Sequence, residues 1–358
     1  MDNLDDLSKI AELDKGNVLG SIEALPKQVA QAWQEVSEIA IALPDEYRSV
    51  SHIVVSGMGG SALAGRILHS LLSSSNLAPI EVVTDYSLPY YVKDDTLVIL
   101  SSYSGNTAET VSAAHDAMSK GARVFIVATG GKLAELAKEN NINSYIFEAK
   151  QNPSGQPRMA LGYSITANLA LLNKLGFTQV SNVDIEKIVK DMESAVSAFG
   201  ARTPIKDNLA KLYAAKLKDK IPVLIASSHL VGIAHAFKNQ LNENSKAFAL
   251  FFDIPELNHH LLEGLRNPAS AKSFIHFLFL DSELYPTEIK KRYPITIDVT
   301  EKNGVACDVL KIKGQTKIDQ VYELLVLGSY ISFYLAMLYG IDPSPIPWVD
   351  YFKNELAK

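Results

Sequence analysis

The chain has 358 residues, 47% hydrophobic and 21% charged, with 34 basic against 40 acidic side chains and a formal net charge of −6. That length makes room for about two domains with cores of their own, and the composition excludes wholesale disorder, a collagen-like fibre and a disulfide scaffold. The acidic balance argues against a nucleic-acid face, which needs clustered Lys and Arg, but not against one small anion in a local pocket.

The amino-terminal run MDNLDDLSKIAELDK is acidic and has no basic segment followed by an apolar one, so it does not read as a secretory signal. Residues 1–45 are expected to form a helical extension. From His52 to Phe147, predicted strands at His52–Ser56, Ile80–Val83, Leu97–Ser101, Val124–Val127 and Tyr145–Phe147 alternate with helical patterns at Ser61–Ser73, Thr107–Lys120 and Lys132–Glu139. Continuous Val/Ile/Leu runs spaced in this way indicate a parallel sheet covered on both faces and joined by crossover helices. A helix over Met159–Leu175 closes this domain, assigned to 46–180. The charge-rich stretch Asn182–Lys218 reads as helical, giving a bridge over 181–218. In the last part, 219–358, the rhythm returns with predicted strands at Val223–Ala226, Ala247–Phe251, Phe274–Leu278 and Ile295–Val299, though no repeat of sequence can be aligned. The predicted fold class is α/β, two doubly wound, Rossmann-like parallel-sheet domains with helical extensions.

Leu324–Ile341 carries no charged residue and approaches the lower length limit of a membrane span. Ser329, Ser332, Tyr330, Tyr334 and Tyr339 interrupt it, and no basic cluster flanks it to set an orientation. It is read as a buried core helix, with no membrane partner. Cys307 is the only cysteine, so an intrachain disulfide and a thiolate metal cluster are both impossible, and the usage fits a reducing cytoplasm.

Ser56-Gly57-Met58-Gly59-Gly60-Ser61-Ala62 follows the first predicted strand and opens a helix. Such a turn brings backbone N–H groups to an anion at a helix N-terminus. It also fits the G-x-G-x-x-A dinucleotide fingerprint, with Asp85 ending the next strand near where a ribose-binding acid would sit, or a tight turn that simply needs glycine. No Gly-Lys-Ser/Thr follows, so it is not a Walker A loop. The second turn, Ser101-Ser102-Tyr103-Ser104-Gly105-Asn106-Thr107-Ala108-Glu109-Thr110, follows the third predicted strand. Asn106 and Glu109 are spaced as a capping box, and Ser102, Ser104 and Thr107 bring three hydroxyls to the same helix start. Hydroxyls and backbone N–H groups can hold a phosphate without lysine. Both turns fall on the carboxyl edge of one parallel sheet, where open α/β folds bind ligands. The pair favours a phosphate cradle over a dinucleotide site, which has no use for the second turn.

The runs SGMGGSALAGR (56–66), SSYSGNTAET (101–110), NENSK (242–246) and PELNHH (255–260) resemble the sugar isomerase (SIS) domain proteins, and most closely the bifunctional phosphoglucose/phosphomannose isomerases. The resemblance runs from about residue 50 to the carboxyl terminus. It implies two SIS-type domains and a homodimer with shared active sites. Gly59, Gly60, Ser61, Ser102, Ser104 and Thr107 match the family's phosphate-binding positions. Glu243 matches its catalytic glutamate, the base that moves a proton between C1 and C2; Arg158, in PRMALG, matches the arginine that stabilises the enediolate oxygen. His259, rather than His260, matches the ring-opening histidine, which in the relatives comes from the partner subunit. Lys353, in IPWVDYFK, matches a lysine that contacts the sugar hydroxyls. The His259–His260 pair has no third residue at metal-ligand spacing, so no metal and no cofactor are expected.

The resemblance therefore implies a cofactor-free cytoplasmic isomerase of glycolysis and gluconeogenesis. It would interconvert glucose 6-phosphate, and mannose 6-phosphate as well, with fructose 6-phosphate through a cis-enediolate. Independently of the resemblance, Ser344 to Ile346 are expected to form part of the pocket wall at C2, where glucose and mannose differ. The alternatives are a non-catalytic SIS regulator that binds a sugar phosphate, and an NAD-dependent oxidoreductase suggested by the glycine turn alone. Regulators of this kind usually carry a helix-turn-helix module, for which the short acidic extension leaves no room.

Overall fold

The computed structural model describes residues 4–39, 43–74, 78–356 and 358. Residues 1–3 and 40–42 of the expected amino-terminal extension lie outside the described residues. The rest of that extension forms α1 (Leu7–Leu13), α2 (Val18–Glu23) and α3 (Leu25–Glu38).

Strands β1 (His52–Ser56), β2 (Ile80–Val83), β3 (Thr96–Ser102), β4 (Arg123–Ala128) and β5 (Asn143–Ile146) form a wholly parallel sheet in the order β2-β1-β3-β4-β5. Every residue of β3 is buried, as a central strand covered on both faces requires. Helices α4 (Gly60–Leu72), α5 (Ala108–Ser119) and α6 (Gly131–Glu139) are its crossovers, and α7 (Leu161–Lys174) follows it. The expected bridge is two helices, α8 (Asn182–Phe199) and α9 (Leu209–Leu217), separated at Gly200–Asn208. Each has its own start signal: Ser181 and Asp184 form a capping box, and Asn208 caps α9.

The second sheet is β6 (Ile221–Ser227), β7 (Leu250–Ile254), β8 (Ile275–Ser282) and β9 (Ala306–Ile312), parallel in the order β7-β6-β8-β9. This reproduces the first sheet's β2-β1-β3-β4 arrangement, so the repeat that sequence alignment does not reveal is present in the topology. Helices α10 (Val231–Asn244), α11 (Leu261–Gly264), α12 (Thr287–Lys302), α13 (Lys317–Tyr339) and α14 (Pro347–Leu356) complete the chain. The α/β class and its doubly wound parallel sheets stand as read from sequence.

One predicted strand does not exist. Ile295–Val299 lies inside α12, where Tyr293, Thr296 and Thr300 face the core at helical spacing while Ile295 is 62% exposed. The β-branched run misleads because its threonines are satisfied within the helix: Thr296 Oγ1 donates to the Arg292 carbonyl and Thr300 Oγ1 to that of Thr296, both at 2.8 Å. The strand that does complete the sheet, β9, comes after the turn at Gly304. β7 likewise starts three residues later than expected, because Lys246 (φ 54°) turns the chain before extension begins.

The apolar helix α13 is core: 89% of its most apolar stretch is buried. Its hydroxyls are satisfied, Ser329 Oγ donating to the Leu325 carbonyl and Ser332 Oγ to that of Ser329. A single apolar cluster runs from the amino-terminal helices through α4 and α7 to α10 and α13, joining the two sheets. Within it α10 crosses α4 at backbone distance. A Cβ on Gly232 would stand 2.3 Å from the Arg66 carbonyl oxygen, so only glycine permits the approach. That contact sets the start of α10 against the middle of α4.

Candidate active site

β1 and β3 are neighbours whose chains continue in opposite directions across the sheet, so their carboxyl ends flank a topological switch point. Both predicted turns are there. Gly59 takes φ 50°, a value that favours glycine, and nothing lies within 4 Å of where its Cβ would be. Neither α4 nor α5 has a side-chain cap, which leaves first-turn N–H groups of both helices for a ligand. Ser61 Oγ accepts from the Tyr103 N–H at 3.0 Å and ties the two turns together. The buried Ser102 Oγ lies 2.9 Å from Thr107 Oγ1 and accepts from the Gly105 N–H, and Ser104 Oγ accepts from the Asn106 N–H.

The expected Asn106–Glu109 capping box is not formed. Thr107 is the cap residue, and Asn106 Oδ1 accepts instead from the Lys132 N–H at 3.0 Å, reaching across to α6. The consequence is functional, since a filled cap would have occupied the N–H groups of α5. The dinucleotide alternative fits less well. That fold has the strand order 3-2-1-4-5-6, whereas β2 is the edge strand here. Asp85 is exposed and accepts from its own neighbour, the Tyr86 N–H.

Arg158 lies in a 3-10 turn, Pro157–Met159, just before α7, and is 2% exposed. Its Nε donates to Asn244 Oδ1 at 2.6 Å and Nη1 to Gln156 Oε1 at 2.9 Å. Nη2 donates to the carbonyls of Pro343 and Ser344 at 2.8 and 2.7 Å. A guanidinium has five N–H donors in a fixed fork, so these bonds leave one, on Nη1. Nη1 is also the atom 3.7 Å from Glu243 Oε2. Burial pulls the guanidinium pKa down, against the opposing charges of Glu243, Asp342 and Asp350.

Glu243 occupies the last turn of α10 with its side chain 28% exposed. Burial raises its pKa above the ordinary 4.5, while Arg158, Lys353, Lys238 and Lys246 act in the opposite direction. A carboxylate with raised proton affinity, beside one unused guanidinium N–H, can accept a proton from carbon while the adjacent oxygen gains negative charge. The glycine turn abuts the backbone that carries Arg158: a Cβ on Gly60 would stand 3.2 Å from the Arg158 backbone nitrogen.

Lys353 projects from the exposed helix α14 and acts electrostatically on Glu243. Ser344, walling the expected epimer site, lies against Arg158 through its carbonyl and accepts at Oγ from Gln156 Nε2. His259 makes no hydrogen bond or ion pair with this group. It ends the 3-10 turn Glu256–His259 after the edge strand β7, is exposed, and has no side-chain hydrogen bond or ion pair among the described residues. Among the described residues no three His, Cys, Asp or Glu side chains cluster closely enough to hold a metal ion. Sequence reasoning missed Asn244, Gln156 and Lys246. The only available signal was adjacency, two of them lying within the NENSK run and the third two positions before Arg158.

Two parallel sheets of repeated order, with glycine and hydroxyl turns at the first switch point, define a protein of the sugar isomerase (SIS) class. Residues 46–176 match the SIS domain family, and residues 206–356 match the bacterial phospho-glucose isomerase C-terminal SIS domain. The chain is 38% identical to the bifunctional phosphoglucose/phosphomannose isomerase of Caldicellulosiruptor bescii, across 94% of this chain and 98% of that one. It is 33% identical to the protein of the same description from Aquifex aeolicus, across 86% and 90%. In fold it is similar to a hypothetical protein of Thermus thermophilus, with a TM-score of 0.73 and 16% identity over 98% of this chain and 92% of that one. The chain belongs to the bifunctional phosphoglucose/phosphomannose isomerase family.

Proposed function

We propose that the chain interconverts glucose 6-phosphate and mannose 6-phosphate with fructose 6-phosphate. The observations that carry this reading are the Glu243–Arg158 pair, the backbone contact of Arg158 with the uncapped start of α4, and the tie from that start to the turn before the likewise uncapped α5. Gly59, Gly60, Ser61, Ser102, Ser104 and Thr107 hold the phosphate, and the sugar extends toward α10. His259, supplied by a second copy, and Lys353 open the ring. Glu243 takes the C2 proton of the aldose and returns it to C1 through a cis-enediolate, while the free N–H of Arg158 stabilises the developing oxyanion. Oxidation at C2 and reduction at C1 balance within one molecule, so no step calls for a redox cofactor.

Two features support a homodimer with shared sites. The His259 side chain has no partner among the described residues, and α14 exposes Trp348 (81%), Tyr351 and Phe352 near Lys353. The lone thiol of Cys307 agrees with a cytoplasmic enzyme at the junction of glycolysis and gluconeogenesis.

The test is turnover of fructose 6-phosphate in D2O, without added cofactor, followed for both aldose products. Exchange of the proton on Glu243 before its return would place solvent deuterium at C2 of the product, which a hydride shift cannot do. Turnover of neither aldose would overturn the isomerase reading, and binding without turnover would favour the regulator.

A further inference from the structure

Lys246 closes the NENSK run and takes no part in the steps above. It follows the C-cap of α10 with φ 54°, in the left-handed region. Helices that end this way favour glycine or asparagine there, because a Cβ is crowded against the following carbonyl. A lysine in that conformation is strained, and its side chain is fully engaged. Nζ donates to the carbonyls of Pro343 at 2.9 Å and of Asn244 and Asp342 at 3.2 Å. The Pro343 carbonyl also accepts from Arg158 Nη2, which binds the Ser344 carbonyl as well. Two cations thus grip three consecutive carbonyls of the segment 342–344.

That segment leads into α14. No residue of α14 is buried, so its own packing does little to fix it. Within its own chain, what precedes it must supply most of the restraint.

We propose that Lys246 is a positioning residue that, together with Arg158, clamps the carbonyls of 342–344 and so holds α14 and its Lys353 beside Glu243. The catalytic consequence rests on the isomerase reading; the clamp itself does not. Lys246 need not touch the sugar. Its contribution is to bring Lys353 over the site from a helix that has no buried face of its own.

Glycine relieves the backbone strain at this position while removing the clamp, so Lys246→Gly separates a positioning role from a structural one. In the full-length protein, hydrogen exchange of the α14 amides is expected to quicken by about tenfold, with exchange in both sheets unchanged. The unfolding temperature is expected to hold or rise. For fructose 6-phosphate kcat should fall by about tenfold with little change in KM, because a displaced Lys353 impairs ring opening and leaves the phosphate turns intact. Lys246→Arg should restore part of both readouts. Unchanged α14 exchange in Lys246→Gly overturns the clamp, as does a uniform quickening across both sheets. Faster α14 exchange with unaltered kcat overturns the link to Lys353. Should the wild type show no turnover, the isomerase reading fails while the exchange experiment still decides the clamp.

Discussion

Arg158 Nη1 and Glu243 Oε2 stand 3.7 Å apart, close enough to attract and too far to hydrogen-bond. A free guanidinium–carboxylate pair closes to roughly 2.7–2.9 Å. This one does not, because each partner is fixed elsewhere, Arg158 by Asn244, Gln156 and the 343–344 carbonyls and Glu243 by the end of α10. Both groups therefore keep unspent bonding capacity, directed at the same space, for a third party.

If Glu243 is the proton carrier, Glu243→Gln should retain substrate and lose chemistry. The amide keeps the shape of the side chain and cannot take a proton from carbon. A fall in kcat of about 10²–10⁴-fold is expected, the range that general acid–base catalysis contributes. Calorimetric affinity for fructose 6-phosphate should change little, since the turns proposed to hold the phosphate belong to α4 and α5. Retention of most of the wild-type kcat would remove Glu243 from the mechanism.

The same residue gives pH dependence a definite sign. Burial raises the Glu243 pKa above 4.5, so the folded chain holds this proton to higher pH than the unfolded chain does. Between those two values the native state binds more protons, and stability falls as pH rises through the window and stays lower above it. Glu243→Gln removes that dependence, so in denaturant titrations its stability relative to wild type should rise as pH increases from 4.5 through the raised value and stay higher above it. Activity runs the other way, since a base must be ionised: the acid limb of kcat/KM should have its midpoint above 4.5. A midpoint at or below that value contradicts a desolvated base.

The glycine and hydroxyl turns were legible because their parts are consecutive. Gly59–Ser61 and Ser102–Thr107 each form a single turn, and the strands that carry them are covered on both faces and so spell continuous apolar runs. The supports of Arg158 were not legible, since Asn244 is 86 positions away and Pro343 is 185. β9 was missed for a different reason. As an edge strand it carries Asp308 and Lys311, most of its residues are not fully buried, and the β-branched Ile295–Val299 run drew the assignment instead.

Asn244 should prove as important to the fold as to the site. It is fully buried, accepts from Arg158 Nε, and donates from Nδ2 to Ser332 Oγ at 3.0 Å on the core helix α13. Asn244→Leu would leave the Arg158 Nε–H buried without an acceptor, at a cost of about 1–3 kcal/mol. For a chain of this size a lowering of the unfolding temperature by several degrees is expected, and kcat/KM should fall with it because the guanidinium loses a fixed orientation. An Asn244→Leu protein with wild-type stability and wild-type kcat/KM would show that Arg158 needs no such support.

The His259 side chain, unpartnered among the described residues, leads to a complementation experiment. Glu243→Gln and His259→Ala chains should each be nearly inactive as homodimers. If His259 acts across the subunit boundary, a hybrid dimer has one site with both lesions and one with neither. At equal mixing about half of the dimers are hybrids, so about a quarter of wild-type activity should return after subunit exchange. If His259 served its own chain, every hybrid site would keep one lesion and the mixture would remain inactive. A monomeric wild type that turns over fructose 6-phosphate would eliminate the shared site outright, because a monomer has no second chain from which to receive the histidine.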